Sequence, residues 1–577
     1  MLIQRDKTIG NFFAGRTGLT LTIRLIGWSV AIILGFTQAW INRYEFFSGD
    51  IISYIEMGEA YLRGDWAVAV HGYFSPLYSI LLASFLSAVD PPMYWEIFAV
   101  KLVNFVIYLA SLLCFELFLF EFIHFYNKRL KDNSQTQYAI PAWVWLVLGY
   151  FLFLWSAIRW IGVGTDTPDM LVAGMVYLAM GLILRIQARN DSWLNFVFLG
   201  TVLGFGYLAK TIMLPAALIF FMVCIFSIKG SIKSYSKVLV SVLIFLLIIT
   251  PLISALSIKK GYFTFGETGK LNRAFTFQDV PARYWQGEPD GTGTPQHPVR
   301  KLFDNPDVYE FGMHFEAATL PIGYDTSFWY EGLIVKANPF SWTIVENLGF
   351  YYQHFLRILL FGYAVLIFVS NRPVSSLKKL GKNWSLLVPG ILIFGAYAIG
   401  KDFHYYDPAN ADTRLLAPFA VLLFAGFFSS VSLPNSRQSK RLVAGLVAGV
   451  FILLGSQFTA SWTHPGSPVY WKVAQQLYQL GINPGDNVAA VQLGPSSPAT
   501  TEYWARLARV RIIAEVPDSS GFWQADEAVR TQIYQRLKEA GARAVVCKQN
   551  DLLLATAAAK QWIRVTDTDH YVYLLDS

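Results

Sequence analysis

Acidic residues stand at two points where a long apolar run of the sequence meets a polar stretch. Asp50 follows the first such run with Tyr54 one helical turn later, and Asp166 and Asp169 precede a later run. A carboxylate between water and apolar side chains can act as a general base, because burial raises its pKa. A second carboxylate can orient an acceptor or hold a divalent metal ion. All of these residues are also common at helix starts, so a capping role stays open for each.

Two basic residues lie at the same kind of boundary. Lys210 has no polar loop on either side, and Arg414 opens a late apolar run. Either cation could bind a phosphate, and a guanidinium can do so through two parallel hydrogen bonds. The alternatives are a lysine that extends its ammonium group to the membrane surface and an arginine that anchors a helix at the interface.

A Gly- and Pro-rich stretch between two apolar runs carries a third set of residues. Trp285, Glu288 and His297 belong to it, and Trp329 and Tyr330 follow. Aromatic faces stack on sugar rings, so the set is compatible with sugar binding. Aromatic side chains that pack at a membrane interface explain the same pattern equally well.

The composition indicates what must hold these residues in place. Of the 577 residues 54% are hydrophobic and only 15% charged, whereas a soluble protein is about a quarter charged. This excludes disordered, collagen-like and disulfide-stabilised proteins, and the three cysteines have no metal-ligand spacing. The net charge of +7 comes without a basic block interleaved with aromatic residues, which argues against a nucleic-acid partner.

The apolar runs predict a mainly α-helical protein of the plasma (inner) membrane. A helix needs about 20 apolar residues to cross a bilayer. We expect eleven spans, which cover residues 19–41, 97–123, 141–161, 169–188, 192–209, 211–228, 238–258, 356–370, 384–400, 415–431 and 442–461.

The basic residues predict the orientation of these spans. Lysine and arginine are enriched in cytoplasmic loops, and every loop that the count of eleven places inside is basic. The N-terminus is therefore expected in the cytoplasm and the C-terminal region outside. The run 74–89 is short for a span and contains Pro76, so we expect it to lie in the outer interface. Asp50 and Asp166 then share the outer face.

The sequence divides into two predicted domains. Residues 1–461 form the membrane domain with outer loops at 42–96 and 259–341, and residues 462–577 form an extracytoplasmic domain. Alternating strands and helices predict a small α/β fold there, closed by a terminal hairpin. The strands are expected at 488–492, 511–516 and 543–547, and the helices near 470–480, 499–508 and 525–540. No Gly-rich nucleotide-binding motif is present in that region.

The order of these motifs resembles that of glycosyltransferases with the GT-C fold. The most similar family includes the protein O-mannosyltransferases and the lipid A aminoarabinose transferase, and the resemblance covers roughly residues 40–230 and 401–420. The matching motifs are Asp50 with Tyr54 and Gly-Asp-Trp at 64–66, Ser-Pro-Leu-Tyr at 75–78, the acidic motif at 165–169, Leu-Ala-Lys at 208–210 and Arg-Leu-Leu-Ala-Pro at 414–418. Many members have an Asp-Glu pair at the first motif, whereas Ile51 follows Asp50 here. A contribution from Glu56 or Glu59 therefore stays open.

The resemblance implies an enzyme that transfers a hexose or pentose from a polyprenyl-phosphate donor, with inversion. The acceptor would be a glycan, lipid or protein on the outer face of the membrane. It gives Asp50 the role of general base. Asp166, with Asp169 as a second candidate, would help to position the acceptor or a divalent metal ion. Lys210 and Arg414 would hold the leaving phosphate, and Tyr54 and Asp169 would contact the substrates. Trp285, Glu288 and His297 lie in a loop that the resemblance does not cover, so their contact with a sugar is predicted from their residue types alone.

Three other functions remain alternatives at this stage. A transporter or flippase of a lipid-linked sugar fits the composition, although such proteins keep polar sites near the bilayer midplane and often carry repeated halves. A non-catalytic assembly protein and an acyl- or phosphotransferase of similar build are the other two.

Overall fold

A computed structural model describes residues 18–46, 50–131, 138–189, 192–228, 232–269, 300–310, 342–370, 372–400, 403, 412–460, 466–491, 502–548 and 561–575. The first part of the chain is helical. Its helices are α1 Gly18–Ile41, α2 Asp50–Arg63, α3 Trp66–Ala69, α4 Pro76–Val89, α5 Met93–Lys131, α6 Ala142–Leu154, α7 Asp169–Arg189, α8 Trp193–Ala209, α9 Met213–Ser227 and α10 Ile232–Lys260. A π-helical stretch, Trp155–Ile161, continues α6.

A second helical group follows the long outer loop. It comprises α11 Trp342–Tyr351, α12 Arg357–Ser370, α13 Pro373–Lys382, α14 Trp384–Gly400, α15 Thr413–Phe428 and α16 Arg437–Ala460. The π-helical stretch Tyr352–Leu356 joins α11 to α12.

Six helices among the described residues are long and apolar enough to cross a membrane, or seven if α13 and α14 are counted as one bent span. The axes of α13 and α14 meet at 76°. Four further apolar helices, α4, α8, α9 and α15, are shorter than 18 residues. The protein is therefore a mainly helical membrane protein, and the count of eleven spans stays a prediction.

Two helical segments extend well beyond their predicted bounds, and in one of them a polar residue inside the helix finds partners. The predicted span 97–123 is a 39-residue helix, α5, and the span predicted to begin at 356 belongs to a helical segment that begins at Trp342. Asn347 interrupts the apolar pattern, but its amide donates to the Ala398 carbonyl and accepts from the Phe403 backbone N–H. A polar side chain that is satisfied in this way does not end a helix.

The C-terminal region forms one seven-stranded sheet. Its strands run in the order β1-β2-β4-β3-β5-β7-β6, and the central β4, β3 and β5 are parallel. The strands are β1 Arg300–Phe303, β2 Val308–Glu310, β3 Asn487–Val491, β4 Arg511–Val516, β5 Ala544–Lys548, β6 Ile563–Arg564 and β7 His570–Leu574. The helices are α17 Val469–Gln479, α18 Glu502–Ala508, α19 Ser519–Gln524 and α20 Glu527–Glu539. The predicted α/β fold and its closing hairpin are confirmed.

Two strands of this sheet come from elsewhere in the chain. The hairpin β1–β2 lies in the loop 259–341, and β2 pairs antiparallel with β4 through Tyr309 and Glu515. The sequence predicted this loop as part of the membrane domain because it lies between two predicted spans. The domain boundary at 462 stays a prediction.

Helix α2 lies against α4 at very short distance. A Cβ atom built on Gly58 of α2 would lie 2.2 Å from the carbonyl oxygen of Ser79 in α4, so only glycine permits this crossing. One continuous apolar core joins these helices to the buried aromatic residues of α5 and α7. The segment that begins at Asp50 is thus packed against the long helices α5 and α7.

Candidate active site

A buried carboxylate joins two cations at the predicted outer face. Asp169, the first residue of α7, has 3% of its surface exposed. Its Oδ1 lies 2.6 Å from the Lys210 ammonium nitrogen, and its Oδ2 lies 3.3 Å from Nε of Arg414. The hydroxyl of Thr167 donates to the same Oδ2 at 2.7 Å. Residues from three distant parts of the chain therefore meet at Asp169.

Local structure explains why each cation reaches this point. Lys210 follows α8 in an extended conformation, with φ −161° and ψ 134°, before the chain turns into α9. Arg414 is the second residue of α15, and the hydroxyl of Thr413 donates to the Trp160 carbonyl at 2.9 Å. That bond fixes the start of α15 against the end of the α6 segment, next to the loop that carries Asp169.

Asp50 and Tyr54 complete this cluster from α2. Asp50 begins the helix, and Tyr54 follows one turn later with 6% of its surface exposed. Both interact electrostatically with Arg414, and Tyr54 also interacts with Asp169. Burial raises the pKa of Tyr54 well above its usual value of 10.0, and the charges of Asp50 and Asp169 raise it further. Tyr54 is therefore a neutral phenol at physiological pH.

Asp166 lies in a separate and fully enclosed pair. Its two carboxylate oxygens lie 2.6 Å and 2.7 Å from the ammonium nitrogen of Lys101 in α5, and both side chains have no exposed surface. Lys101 also donates to the Gly164 carbonyl, while Asn104 donates to the Thr165 carbonyl and to Asp166. Asp166 thus holds its own loop to α5, and these contacts favour a positioning role over a direct catalytic one.

The loop before Asp166 turns sharply. Gly162 has φ +89°, a conformation that favours glycine, and Thr165 donates to the Ile161 carbonyl at 2.6 Å. The Val163 backbone N–H donates to Gln38 of α1 at 2.7 Å. The turn allows α7 to begin at the end of the α6 segment, which places Asp169 beside Lys210.

The structure brings together five of the residues predicted from sequence and leaves others apart. Asp50, Tyr54, Asp169, Lys210 and Arg414 form the cluster, which we call the open cluster. Asp166 is adjacent but paired elsewhere. Trp285, Glu288 and His297 lie outside the described residues, and their predicted contact with a sugar stays a prediction.

Three residues of this region were missed by sequence analysis. Lys101 lies inside an apolar run, where a single lysine gave no signal. Asp412 lies 3.9 Å from Arg414, and Tyr397 interacts electrostatically with Asp169, Asp412 and Arg414. The short spacing between Asp412 and Arg414 was the one available signal.

The predicted metal ion finds no ligand set among the described residues. Nowhere in that part of the chain do three or more His, Cys, Asp or Glu side chains lie close enough together to hold one. Near the open cluster, the acidic groups are instead balanced by Lys210 and Arg414.

An apolar cavity is lined in part by α15, the helix that also carries Arg414. It has a volume of about 610 Å³ and opens between α5, α6, α12, α15 and α16. Aromatic side chains supply much of its lining, among them Phe118, Trp145, Phe361, Phe424 and Phe428. Arg414 and Phe424 are ten residues apart on α15, which corresponds to about 15 Å along the helix axis.

Comparisons with known proteins give structural similarity alone. No family model matches the sequence, and no curated protein matches it. The chain is similar to ArnT from Cupriavidus metallidurans bound to undecaprenyl phosphate, with 13% identity and a TM-score of 0.45 over 96% of this chain and 97% of that one. The apo state of ArnT gives 13% identity and a TM-score of 0.42 over the same shares.

An archaeal protein is similar as well. AglB, the oligosaccharyltransferase of Archaeoglobus fulgidus in complex with an inhibitory peptide and a dolichol-phosphate, shows 12% identity and a TM-score of 0.46 over 93% of this chain and 70% of that one.

Proposed function

We propose that this protein is a membrane glycosyltransferase that moves a sugar from a polyprenyl-phosphate donor to an acceptor on the outer face. The observation that carries the proposal is the open cluster. Asp50 and Tyr54 interact with Arg414, which together with Lys210 holds the buried Asp169. The proposal uses Asp50, which interacts with Arg414, as the carboxylate that accepts a proton, and it uses Arg414 and Lys210, which meet at Asp169, as the cations that bind the phosphate.

The proposed reaction is a single displacement. Asp50 accepts the proton of an acceptor group as the acceptor atom attacks the anomeric carbon, and the bond from that carbon to the phosphate oxygen breaks. The bonding electrons leave with the phosphate, whose growing negative charge Lys210 and Arg414 stabilise. Attack from the side opposite the phosphate inverts the anomeric carbon. Because a phosphate leaves readily, no strong general acid is required.

Asp169 has a definite part in this proposal. A lysine offers three hydrogen-bond donors and an arginine five, more than the contacts to one carboxylate require. We assign Asp169 the role of fixing both cations in one place before the donor arrives, which reduces the reorganisation needed at the moment of reaction. Asp166 has the different role of holding the loop through Lys101.

The apolar cavity is the proposed place for part of the polyprenyl chain. The cavity opens between helices, and α15 runs from the proposed phosphate site at Arg414 to Phe424 in the cavity wall, about 15 Å along the helix axis. Burial of each CH₂ group contributes about 0.8 kcal/mol, so an isoprenoid chain would gain much of its affinity there. The proposal includes the predicted topology of eleven spans, with the open cluster and the C-terminal domain outside the plasma membrane.

The decisive test compares two Asp→Asn substitutions in the same outer segment. Asp65 caps α3 through its bonds to the backbone of Ala67 and Val68, a role that asparagine retains. Purified protein in lipid nanodiscs would be incubated with a panel of polyprenyl-phosphate sugars and membrane acceptors, and released polyprenyl phosphate measured. We expect release by the wild type and by Asp65→Asn, and none by Asp50→Asn. Near-normal release by Asp50→Asn would refute the assignment of the base.

A further inference from the structure

A buried arginine joins the C-terminal domain to the helix that carries Asp50. Arg506 of α18 has 1% of its surface exposed and lies between two carboxylates of the membrane domain. Its Nη2 is 2.5 Å from Glu59 in α2, and its Nε is 2.9 Å from Glu96 in α5. A third bond runs from Nη1 to Glu59 at 3.2 Å. One guanidinium thus connects three helices.

Neighbouring residues reinforce this junction. Arg509 lies 2.5 Å from Glu96 and 3.6 Å from Glu59. The ring of Tyr503 in α18 stacks on Phe46, just before Asp50 in the chain, with 4.2 Å between centroids. The domain therefore contacts the first outer segment both before α2 and along it.

The charge state of Glu59 fits a true ion pair. Burial alone would raise its pKa, but the hydrogen bond and positive charge of Arg506 outweigh burial and lower the pKa below its usual value. Charge-assisted, two-pronged bonds of this kind are among the stronger and more directional ones in proteins. They also fix the orientation of the helix that carries the carboxylate.

Helical geometry places Glu59 on the back of α2. Each residue of an α-helix turns by about 100°, so Tyr54 lies about 40° from Asp50, and Glu59 lies about 180° from it. The face with Asp50 and Tyr54 is directed to Arg414, whereas the opposite face is held by Arg506. Movement of α18 would therefore be transmitted to the open cluster by a rigid helix.

We propose that Arg506 is a positioning residue for the reaction, through which the C-terminal domain fixes α2 and so the placement of Asp50 and Tyr54. This proposal rests on the proposed function. It gives the C-terminal domain a part in catalysis without any contact with substrate. A misplacement of about 1 Å at a reacting group can cost roughly a hundredfold in rate, so a modest shift of α2 suffices for a large effect.

The test uses the full-length protein in lipid nanodiscs and two mild variants. Glu59→Gln removes one charge and keeps the side-chain length, and Arg506→Lys keeps the charge but loses the two-pronged geometry. Arg543→Gln is the matched control, because it breaks an ion pair with Asp486 in the same domain, away from α2 and α5. Two quantities are measured, which are backbone amide exchange across residues 50–63 and the kcat and KM for a polyprenyl-phosphate sugar. Rates are normalised to the number of sites that bind undecaprenyl phosphate.

Both variants are expected to show faster exchange in residues 50–63 and a kcat lower by about 10- to 100-fold, with a KM for the donor within about twofold of the wild type. The control should match the wild type in both readouts. Unchanged exchange in α2 would overturn the proposal, as would an unchanged kcat. Faster exchange throughout residues 502–575 would also overturn it, since that result marks a general loss of stability.

The two proposals can fail separately. If the wild type transfers no sugar from any donor, the proposed function fails, whereas the exchange data still decide whether Arg506 holds α2.

Discussion

Two lysine–aspartate pairs differ in their surroundings, although their aspartates, Asp166 and Asp169, are only three residues apart in the sequence. In the pair Lys101–Asp166 both side chains have no exposed surface, and the remaining bonds of the lysine go to the loop backbone. In the pair Lys210–Asp169 the lysine side chain is 22% exposed, and Arg414 adds a second partly exposed cation. The first is the sealed pair, and the second belongs to the open cluster.

The difference shows that a lysine–aspartate pair can either stabilise the fold or hold a cation ready to bind a substrate anion. A buried charge that is fully satisfied by its partner fixes the structure, and removal of that partner is costly. A cation that keeps contact with solvent can still bind an anion that arrives from outside. Sequence motifs alone ranked Asp166 above Asp169 as a site residue, whereas the contacts favour the reverse order.

The largest effect on stability is expected from breaking the sealed pair. Lys101→Met leaves the Asp166 carboxylate buried without its partner, which should cost about 3–5 kcal/mol. Thermal unfolding in nanodiscs would show a large fall in the apparent melting temperature. The double variant Lys101→Met with Asp166→Leu should recover most of that loss, because it replaces the pair by apolar groups. A single variant as stable as the wild type would contradict the sealed-pair interpretation.

In the open cluster, by contrast, we expect a substitution to lower activity and to leave stability almost unchanged. Lys210→Gln is expected to lower the rate of sugar transfer by about 100-fold, because a donor to the developing negative charge is lost. Its melting temperature should change little, since Arg414 and Thr167 still contact Asp169. Transfer assays and thermal unfolding on the same preparation separate the two effects. If Lys210→Gln instead lowers the melting temperature and leaves the transfer rate per folded molecule normal, Lys210 has the same structural role as Lys101 and the proposed difference is wrong.

A smaller effect is expected at Tyr54. Tyr54→Phe keeps the ring between Phe74 and Tyr78 but removes the hydroxyl. We expect this hydroxyl to donate one hydrogen bond to a substrate, worth about 1 kcal/mol, so transfer should slow by roughly fivefold to tenfold. An unchanged rate would show that the phenol only fills space beside Asp50.

The smallest effect concerns alkaline stability. The pKa of Tyr54 is raised in the folded protein above the unfolded value of 10.0, so its proton is held more tightly in the folded state. This contribution to stability is complete below pH 10 and is lost as the pH rises above it. Wild type should therefore lose more stability than Tyr54→Phe between pH 9 and pH 11 in chemical unfolding. If the stability of the two proteins falls equally between pH 9 and pH 11, the raised pKa of Tyr54 is contradicted.

Sequence analysis predicted much of the open cluster because its residues mark the ends of apolar runs. The predicted orientation of the spans puts four residues at one face of the membrane: Asp50, Asp169, Lys210 and Arg414. The packing of the helices then brings these residues close together. The partner of each aspartate could not be predicted, because Asp166 and Asp169 are close in sequence and only the packing of α5 against α7 brings Lys101 to the first.

In the C-terminal domain, too, the local elements could be predicted and the contacts between distant parts of the chain could not. The strands β3, β4 and β5 are short, mainly apolar runs and were predicted to within one residue. Helices α17, α18 and α20 were predicted as well, whereas the short α19 was not. The hairpin β1–β2 was missed because its few residues are partly exposed and far away in the chain. Arg506 was missed as well, since nothing in sequence links it to Glu59 or Glu96.

Binding of undecaprenyl phosphate to the purified protein tests the central claim most directly. Titration in nanodiscs should show one saturable site for the wild type, at least tenfold weaker binding for Arg414→Gln, and unchanged binding for Arg543→Gln. A dephosphorylated polyprenol should bind far more weakly than the phosphate. Equal affinity of wild type and Arg414→Gln for undecaprenyl phosphate would contradict the assignment of the open cluster as the phosphate site.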